Sequence, residues 1–442
     1  MAKDKKGADD NHKSIPTSRV GRLARVARMA GGVAGGMLAE GTRQLRAGNR
    51  PRARDMLLTP ANARRVADQL ATMRGAAMKV GQILSMDTGD FLPKELADIL
   101  ARLRSDARYM PPGQLDQVMT DAYGEEWERL FYNFEHRPLA AASIGQVHRT
   151  TSPDGRDIVL KVQYPGVANS IDADVDNIAS LLKLSGLLPA EVNVQPLLDD
   201  AKEQLKDEAY YNKEAEFLAA FGDLLSDDDR FLVPQVIPDL TRKTVLAMTY
   251  VSGRPIETIA DLEQAERDAV MSALVELMFK ELFELRMVQT DPNFANYQYN
   301  AVSGKIVLLD FGATRRFKAS FVNAYRSLIK AAIAGNETRL VAAAEKVGYA
   351  MGEEDTDYRE LVLSLFLLAL EPVKEDAPYD FAASDMARRM SEMGEDVTDY
   401  RDFWQVPPTE AVYFHRKLGG MFLLASRLKA RVNVHALVKQ FL

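Results

Sequence analysis

Between Gln289 and Phe317 the chain reads QTDPNFANYQYNAVSGKIVLLDFGATRRF, and this segment restricts the possible folds more than any other. Asp291 and Asn296 stand five apart, and Asp310-Phe311-Gly312 begins 19 residues after Asp291. Between them two short runs, YQYN and KIVLLD, flank a Ser303-Gly304 turn, which predicts a β-hairpin over 298–309. A turn after the first aspartate, then a hairpin, returns the chain so that two carboxylates and one amide oxygen meet around one point. Oxygen donors of that kind hold magnesium ions on phosphate groups, the arrangement that phosphoryl transfer requires. Asp-Phe-Gly alone would arise by chance; the combination with D-x-x-x-x-N and the hairpin is specific.

The spacing resembles the catalytic loop and metal-binding Asp-Phe-Gly of the protein-kinase fold. That fold also needs a strand lysine to reach nucleotide phosphates and a glutamate to hold it. Lys161, in the alternating run IVLKVQYPG, fits the first, and Glu214, in the helical stretch YYNKEAEFL, fits the second. Neither would stand alone, since strand lysines and helical glutamates ordinarily face solvent. The pattern also departs from an ordinary kinase. Where a glycine-rich loop would precede the lysine strand, the chain has PLAAASIGQVH, with Ala140, Ala141, Ala142 and Ser143 in place of glycines. Alanine restricts access to positive φ, so a stiffer loop is expected. Gln289-Thr290 replaces the usual His-Arg before the catalytic aspartate, and no Ala-Pro-Glu follows soon after Gly312. The platform for a peptide substrate is therefore expected to be missing.

The surrounding chain supplies the outline of such a fold. Residues 1–18 read as a tail, and 19–46 as helical, with Arg19, Arg22, Arg25 and Arg28 on one side. Gly31/Gly35 and Gly32/Gly36 have small-xxx-small spacing, which suits either a membrane-surface or helix-pairing segment or a glycine hinge. After a linker at 49–60, Val66, Leu70, Met73, Ala77, Val80 and Leu84 mark a helix that carries Lys79 and Gln82 together on a neighbouring face. From about Phe131 the period changes. Strands are expected at Ser143–Thr150, Ile158–Tyr164 and Val245–Val251, with a turn at Pro153-Asp154-Gly155 and a helical insertion over Asp172–Leu225. Beyond Gly253 the chain is mostly helical. The expected class is α+β, a bilobal kinase-like fold with an N-terminal helical extension over the active site. Its parts are 1–48 (tail and basic segment), 49–130 (extension), 131–252 (N-lobe with insertion) and 253–442 (C-lobe).

Composition excludes some chemistries and suggests a partner. Cysteine is absent, and the five histidines include no HxxxH pair, which rules against thiolate catalysis and a histidine-pair zinc site. Net charge is −7, yet residues 1–110 hold 21 basic against 11 acidic side chains. A basic leading third suits an anionic surface. No aromatic residues interleave with the arginines, so a nucleic-acid partner is not expected. The apolar stretch Met29–Ala39 is far shorter than the roughly 20 residues that span a bilayer. The segment FHRKLGGMFLLASRLKARV is interrupted by charge and reads as a core helix.

Lys79-Val80-Gly81-Gln82 (K-x-G-Q), the AAAS loop, VQYPG, Glu208 and Glu214 as E-x(5)-E, QTDPNFAN and LLDFGATR together resemble the UbiB family. These aarF-domain-containing atypical kinases serve ubiquinone (coenzyme Q) biosynthesis, and the likeness runs from about Arg19 to Leu428, strongest toward the subgroup with mitochondrial members. The resemblance implies ATP and Mg2+ as cofactors. It assigns Asp291 to the catalytic loop, Asn296 and Asp310 to the metal, and Lys161 with Glu214 to the ion pair. Ala140, Ala141, Ala142, Ser143 and Met248 would lie at the nucleotide. Lys79 and Gln82 would come from a helix folded over the active site, with Glu208 paired to Lys79. The family often has E-x-D-Y where this chain has Glu208-Ala209-Tyr210-Tyr211. An occluded site implies an ATPase or a small-molecule or lipid kinase rather than a protein kinase. A nucleotide-gated scaffold or lipid-binding chaperone is the alternative from another class, and an antibiotic- or choline-type kinase a third. Implied partners are an anionic phospholipid surface, quinone-pathway lipids or enzymes, and a second copy in a homodimer. The implied location is cytoplasmic and peripheral on a bacterial inner membrane, or the matrix face of a mitochondrial one.

Overall fold

The computed structural model describes residues 75–77, 79–80, 109–184, 195–349, 356–397 and 408–442. The expected basic helix, its glycine pairs, the 49–60 linker and Gln82 lie outside these. The chain divides into two units, residues 1–219 with 235–250, and residues 220–234 with 251–442.

The first unit is built on a four-stranded antiparallel sheet. Strands β1 (Ala140–Ala141), β2 (Gly145–Thr151) and β3 (Asp157–Gln163) follow in order. After β4 (Phe231–Leu232), which belongs to the second unit, β5 (Val245–Thr249) completes the order β1-β2-β3-β5. The Pro153-Asp154-Gly155 turn forms as expected, with Gly155 at φ +87°. Because side chains alternate across a strand, β3 presents two different faces. Ile158, Leu160 and Val162 join Val245 and Ala247 in a core closed by helix α1 (Pro112–Tyr123), through Leu115, Val118 and Met119, and by Trp127 and Phe131. The opposite face carries Val159, Lys161 and Gln163. Helices α2 (Ile171–Leu184), α3 (Gln195–Glu208) and α4 (Tyr211–Leu224) form the insertion, and α4 runs across the boundary between the units.

In the second unit β6 (Arg254–Pro255), β8 (Tyr297–Asn300) and β9 (Lys305–Leu308) join β4 in the order β4-β9-β8-β6, while β7 (Met287–Gln289) pairs with β10 (Thr314–Arg316). The β8–β9 hairpin is the one expected from YQYN and KIVLLD, turned by Gly304 at φ +70°. Helix α5 (Gln264–Lys280) continues into one π turn at Glu281–Leu285, and Arg286 at φ +50° redirects the chain into β7. Helices α6 (Ala319–Ile333), α7 (Glu337–Val347), α8 (Thr356–Ala369), α9 (Glu371–Lys374), α10 (Met386–Val397), α11 (Thr409–Arg427) and α12 (Val434–Lys439) make up the remainder. The sequence reading anticipated neither the two-residue strands nor the β7–β10 pair. Runs that short carry no periodicity, and tertiary pairing alone makes them strands.

Two of the expected strand boundaries shift by two residues, and others by one. The strand expected from Ser143 begins at Gly145, because the Ala142 amide donates to the Gly145 carbonyl at 2.9 Å and closes a turn through Ser143 and Ile144. The strand expected to reach Val251 ends at Thr249, which is opposite Ile158 at the end of the β3–β5 pairing.

Candidate functional site

On the face of β3 away from α1, the Lys161 ammonium donates to both oxygens of Glu214, at 2.7 and 2.9 Å. The two side chains are 9% and 2% exposed, so the pair is held almost free of water. Glu214 stands in the first turn of α4, where the helix dipole favours a carboxylate. The Tyr211 ring, one turn earlier, lies 5.4 Å from the Lys161 ammonium. Val147 and Leu246 flank Lys161 across the strands. Met248 opposes Val159 in the same register and therefore shares the lysine's face of the sheet.

The alanine-rich loop folds as a tight hairpin onto β2, with Ala140 opposite Val147 and Ala141 opposite Gln146. Positive φ among the described non-glycine residues occurs at Asn133, Arg286 and Lys429, so Ala140–Ser143 stay in conformations natural to alanine and serine. Glu208, the last residue of α3, divides its carboxylate. One oxygen pairs with the Lys79 ammonium at 2.7 Å, and the other accepts a hydrogen bond from the Ser143 hydroxyl. Lys79 is 1% exposed. Gly75, four residues before it, touches the loop so closely that a Cβ would overlap the Ser143 carbonyl oxygen. The helical residues 75–77 and 79–80 are thus locked onto the alanine-rich loop by a backbone contact and an ion pair. Gly145 is constrained likewise, a Cβ there meeting the Val162 carbonyl and the Tyr211 hydroxyl.

The second unit assembles the acidic and amide groups. Strand β7 delivers Thr290, whose hydroxyl and amide both donate to the Ala313 carbonyl, at 2.7 and 3.2 Å. Asn293 caps the 3-10 turn Phe294–Asn296 by accepting from the Ala295 amide. The Asn296 side-chain NH2 donates to the Asp291 carboxylate at 3.2 Å and to its carbonyl at 3.3 Å. The Asn296 carbonyl accepts from the Leu309 amide at 3.0 Å, which sets Asp310 beside the asparagine at the end of the hairpin. One Asp310 oxygen accepts from the Gly312 amide at 2.9 Å. Phe311 turns inward, 2% exposed, its ring 4.6 Å from that of Phe221. Asp291, Asn296 and Asp310, separated by up to 19 residues, are therefore brought together. With both its donors on Asp291, the Asn296 amide has its oxygen left to act as a ligand. A carboxylate and an amide oxygen suit a hard cation such as magnesium.

Beneath this loop lies a buried charged pair that no motif marks. Lys417 of α11 sits 3.4 Å from Glu281 of the π turn, each 2% exposed. The Lys417 ammonium also donates to the Tyr297 hydroxyl at 2.9 Å and to the Gln289 side-chain oxygen at 3.4 Å. Burial pushes the Glu281 carboxyl up to about 7, with the Lys417 charge pulling the other way. Burial disfavours the Lys417 charge, but Glu281 and Tyr297 outweigh it and hold the ammonium above its ordinary value.

Comparison with known proteins gives consistent relations. Residues 102–344 match the ABC1 atypical kinase-like domain. Over 96% of its length the chain is 35% identical to the atypical kinase coq-8, mitochondrial, of Caenorhabditis elegans, spanning 57% of that protein. It is 36% identical to the atypical kinase COQ8, mitochondrial, of Saccharomyces cerevisiae, spanning 97% of this chain and 85% of that one. With the rat atypical kinase COQ8B, mitochondrial, identity is 36% over 95% of this chain and 80% of the relative. A solved structure, the Rv3197–erythromycin complex from Mycobacterium tuberculosis, superposes with a TM-score of 0.59 at 24% identity, covering 83% of this chain and 92% of that one. The fold is accordingly α+β and kinase-like.

Proposed function

The chain belongs to the ABC1 (UbiB) atypical kinase-like family, and on that premise we propose that it binds and turns over MgATP in support of ubiquinone biosynthesis at a membrane face. The observation that carries this reading is the cluster of Asp291, Asn296 and Asp310 around the β8–β9 hairpin. A structural remnant would have no need to aim an asparagine amide at a catalytic-loop aspartate. Magnesium bound there would neutralise phosphate charge as it builds during transfer. Asn296 and Asp310 would hold it, and Asp291 would orient the acceptor, water or a small or lipid hydroxyl. Lys161, held and pointed by Glu214, would engage the phosphates, with Ala140, Ala141, Ala142, Ser143 and Met248 at the nucleotide.

The Lys79–Glu208 pair and the Gly75 contact favour a closed first unit, with residues 75–77 and 79–80 resting on the loop that a nucleotide would meet. Such closure disfavours a peptide substrate and favours hydrolysis or a small acceptor. Among the described residues no helix is long and apolar enough to cross a membrane. A peripheral attachment through the basic leading third is the form of membrane contact we propose, to anionic phospholipid on the matrix face in a mitochondrion or the inner membrane of a bacterium.

The test is magnesium-dependent ATP hydrolysis by the purified full chain, with anionic or zwitterionic liposomes, beside Asp310→Asn and Lys161→His. Turnover that rises with anionic liposomes and vanishes in both variants is the expected result. Nucleotide binding without turnover under every lipid condition would overturn it in favour of a nucleotide-gated scaffold.

A further inference from the structure

Helix α11 places Tyr413, Lys417 and Gly420 at steps of four and three, hence on one face. All three meet the segments that carry the acidic and amide groups. The Tyr413 ring lies 3.9 Å beneath the guanidinium of Arg315, in β10 just after Asp310-Phe311-Gly312. Lys417 holds Gln289, two residues before Asp291, and Tyr297, the residue after Asn296. Gly420 touches Pro292, the residue after Asp291, so closely that a Cβ would overlap the proline ring.

We infer that this face of α11, through Lys417 and Gly420, is the seat that fixes the loop 289–297, and that both are positioning residues for Asp291 and Asn296. The chemistry of the contacts supports this over simple packing. A methionine or leucine would fill the same volume without the cost of burying an ammonium. What the ammonium adds is a grip on both ends of one loop, anchored from behind by Glu281 on the π turn, a helix irregularity that often accompanies functional sites. Gly420 supplies the complementary constraint, letting the helix backbone approach the middle of the loop. Because loop and helix lie in the same unit, the seat is complete within it. The consequence for turnover rests on the proposed MgATP reading; the consequence for loop rigidity does not.

The experiment is amide hydrogen exchange across 289–297 in the full-length protein without nucleotide, together with ATPase kinetics and magnesium titration. Glu281→Gln combined with Lys417→Met removes both charges without orphaning either. Gly420→Ala tests the backbone seat independently, and Leu423→Ala, at an exposed position of the same helix, is the control. The expected result is exchange in the loop faster by about tenfold in the first two variants, with α5 amides unchanged and the control like wild type. Half-saturating magnesium should rise and kcat fall by about tenfold or more, while nucleotide affinity measured without magnesium stays within about twofold. Unchanged loop exchange, or exchange rising equally throughout the unit, would overturn the inference. A wild-type protein without turnover would count against the MgATP reading alone, and loop exchange would still decide the role of the seat.

Discussion

At the scale of single residues, the buried pair Lys161–Glu214 illustrates how a role can be separated from a contribution to stability. Lys161→Met leaves a carboxylate buried without its cation, so unfolding free energy should fall by about 3–5 kcal/mol in urea titration. Adding Glu214→Gln should recover most of that loss, yet neither variant should hydrolyse ATP. His148 makes a second residue-level prediction. The Gln146 side-chain oxygen accepts from the Met110 amide, so its NH2 must face the His148 Nε2, 2.8 Å away. Nε2 is then the acceptor, and Nδ1–H donates to the Glu135 carbonyl at 2.8 Å. Burial lowers the imidazole to about 4, partly offset by the Glu135 bond. The folded state thus holds the ring neutral while the unfolded chain protonates it near 6.5. The stability involved is present above that value and is lost as pH falls toward 4, by up to about 3 kcal/mol. Urea midpoints at pH 7 and pH 5 should differ less in His148→Gln than in wild type. Lys161 and Glu214 were legible in the sequence because strand alternation and a downstream motif bracketed them. His148 was not, because its neutrality depends on burial that only the fold supplies, and its tautomer on a Gln146 side chain oriented by the distant Met110 amide.

Elements show where close approach decides the outcome. Gly75 and Gly113 are both helical, but only the first faces another backbone; around a Cβ at Gly113 the space is open. Gly113→Ala should stabilise by about 0.5–1 kcal/mol through helix propensity. Gly75→Ala should destabilise by about 1–3 kcal/mol and weaken the Lys79–Glu208 pair, because the helical segment must lift from the alanine-rich loop. Thermal unfolding of the two variants side by side checks both signs. The K-x-G-Q motif pointed to Lys79, and the pairing with Glu208 came only through resemblance, which the geometry matches at 2.7 Å. The hairpin over 298–309 and the helical insertion were readable from periodicity. The π turn and the β7–β10 pair were not, since each is a local irregularity that acquires its shape from what packs against it.

For the molecule as a whole, ligand linkage offers a test that needs no turnover. With MgATP at about 100 times its Kd, the folded state should gain about 2.7 kcal/mol, seen as a higher midpoint in thermal unfolding. The magnesium-dependent part of that gain should disappear in Asp310→Asn. The uneven charge, basic over residues 1–110 within a chain of net −7, yields a second expectation. Sedimentation with anionic vesicles should weaken steeply as salt rises through the range where the Debye length contracts below about 10 Å.

The sequence by itself determined the kinase-like class, the convergence of Asp291, Asn296 and Asp310, the strand lysine with its glutamate, and the family. Each was carried by short spacings or by alternation, which local sterics translate directly into direction. Tertiary structure alone decided what holds those groups still. Lys417 lies 128 residues from Gln289 and 120 from Tyr297, and no period links them. The fit of Gly75 to Ser143, and of Gly420 to Pro292, is likewise invisible in the chain. A glycine reads as a gap until another backbone occupies the space its side chain would have filled, and a lysine reads as surface until the fold removes the water around it.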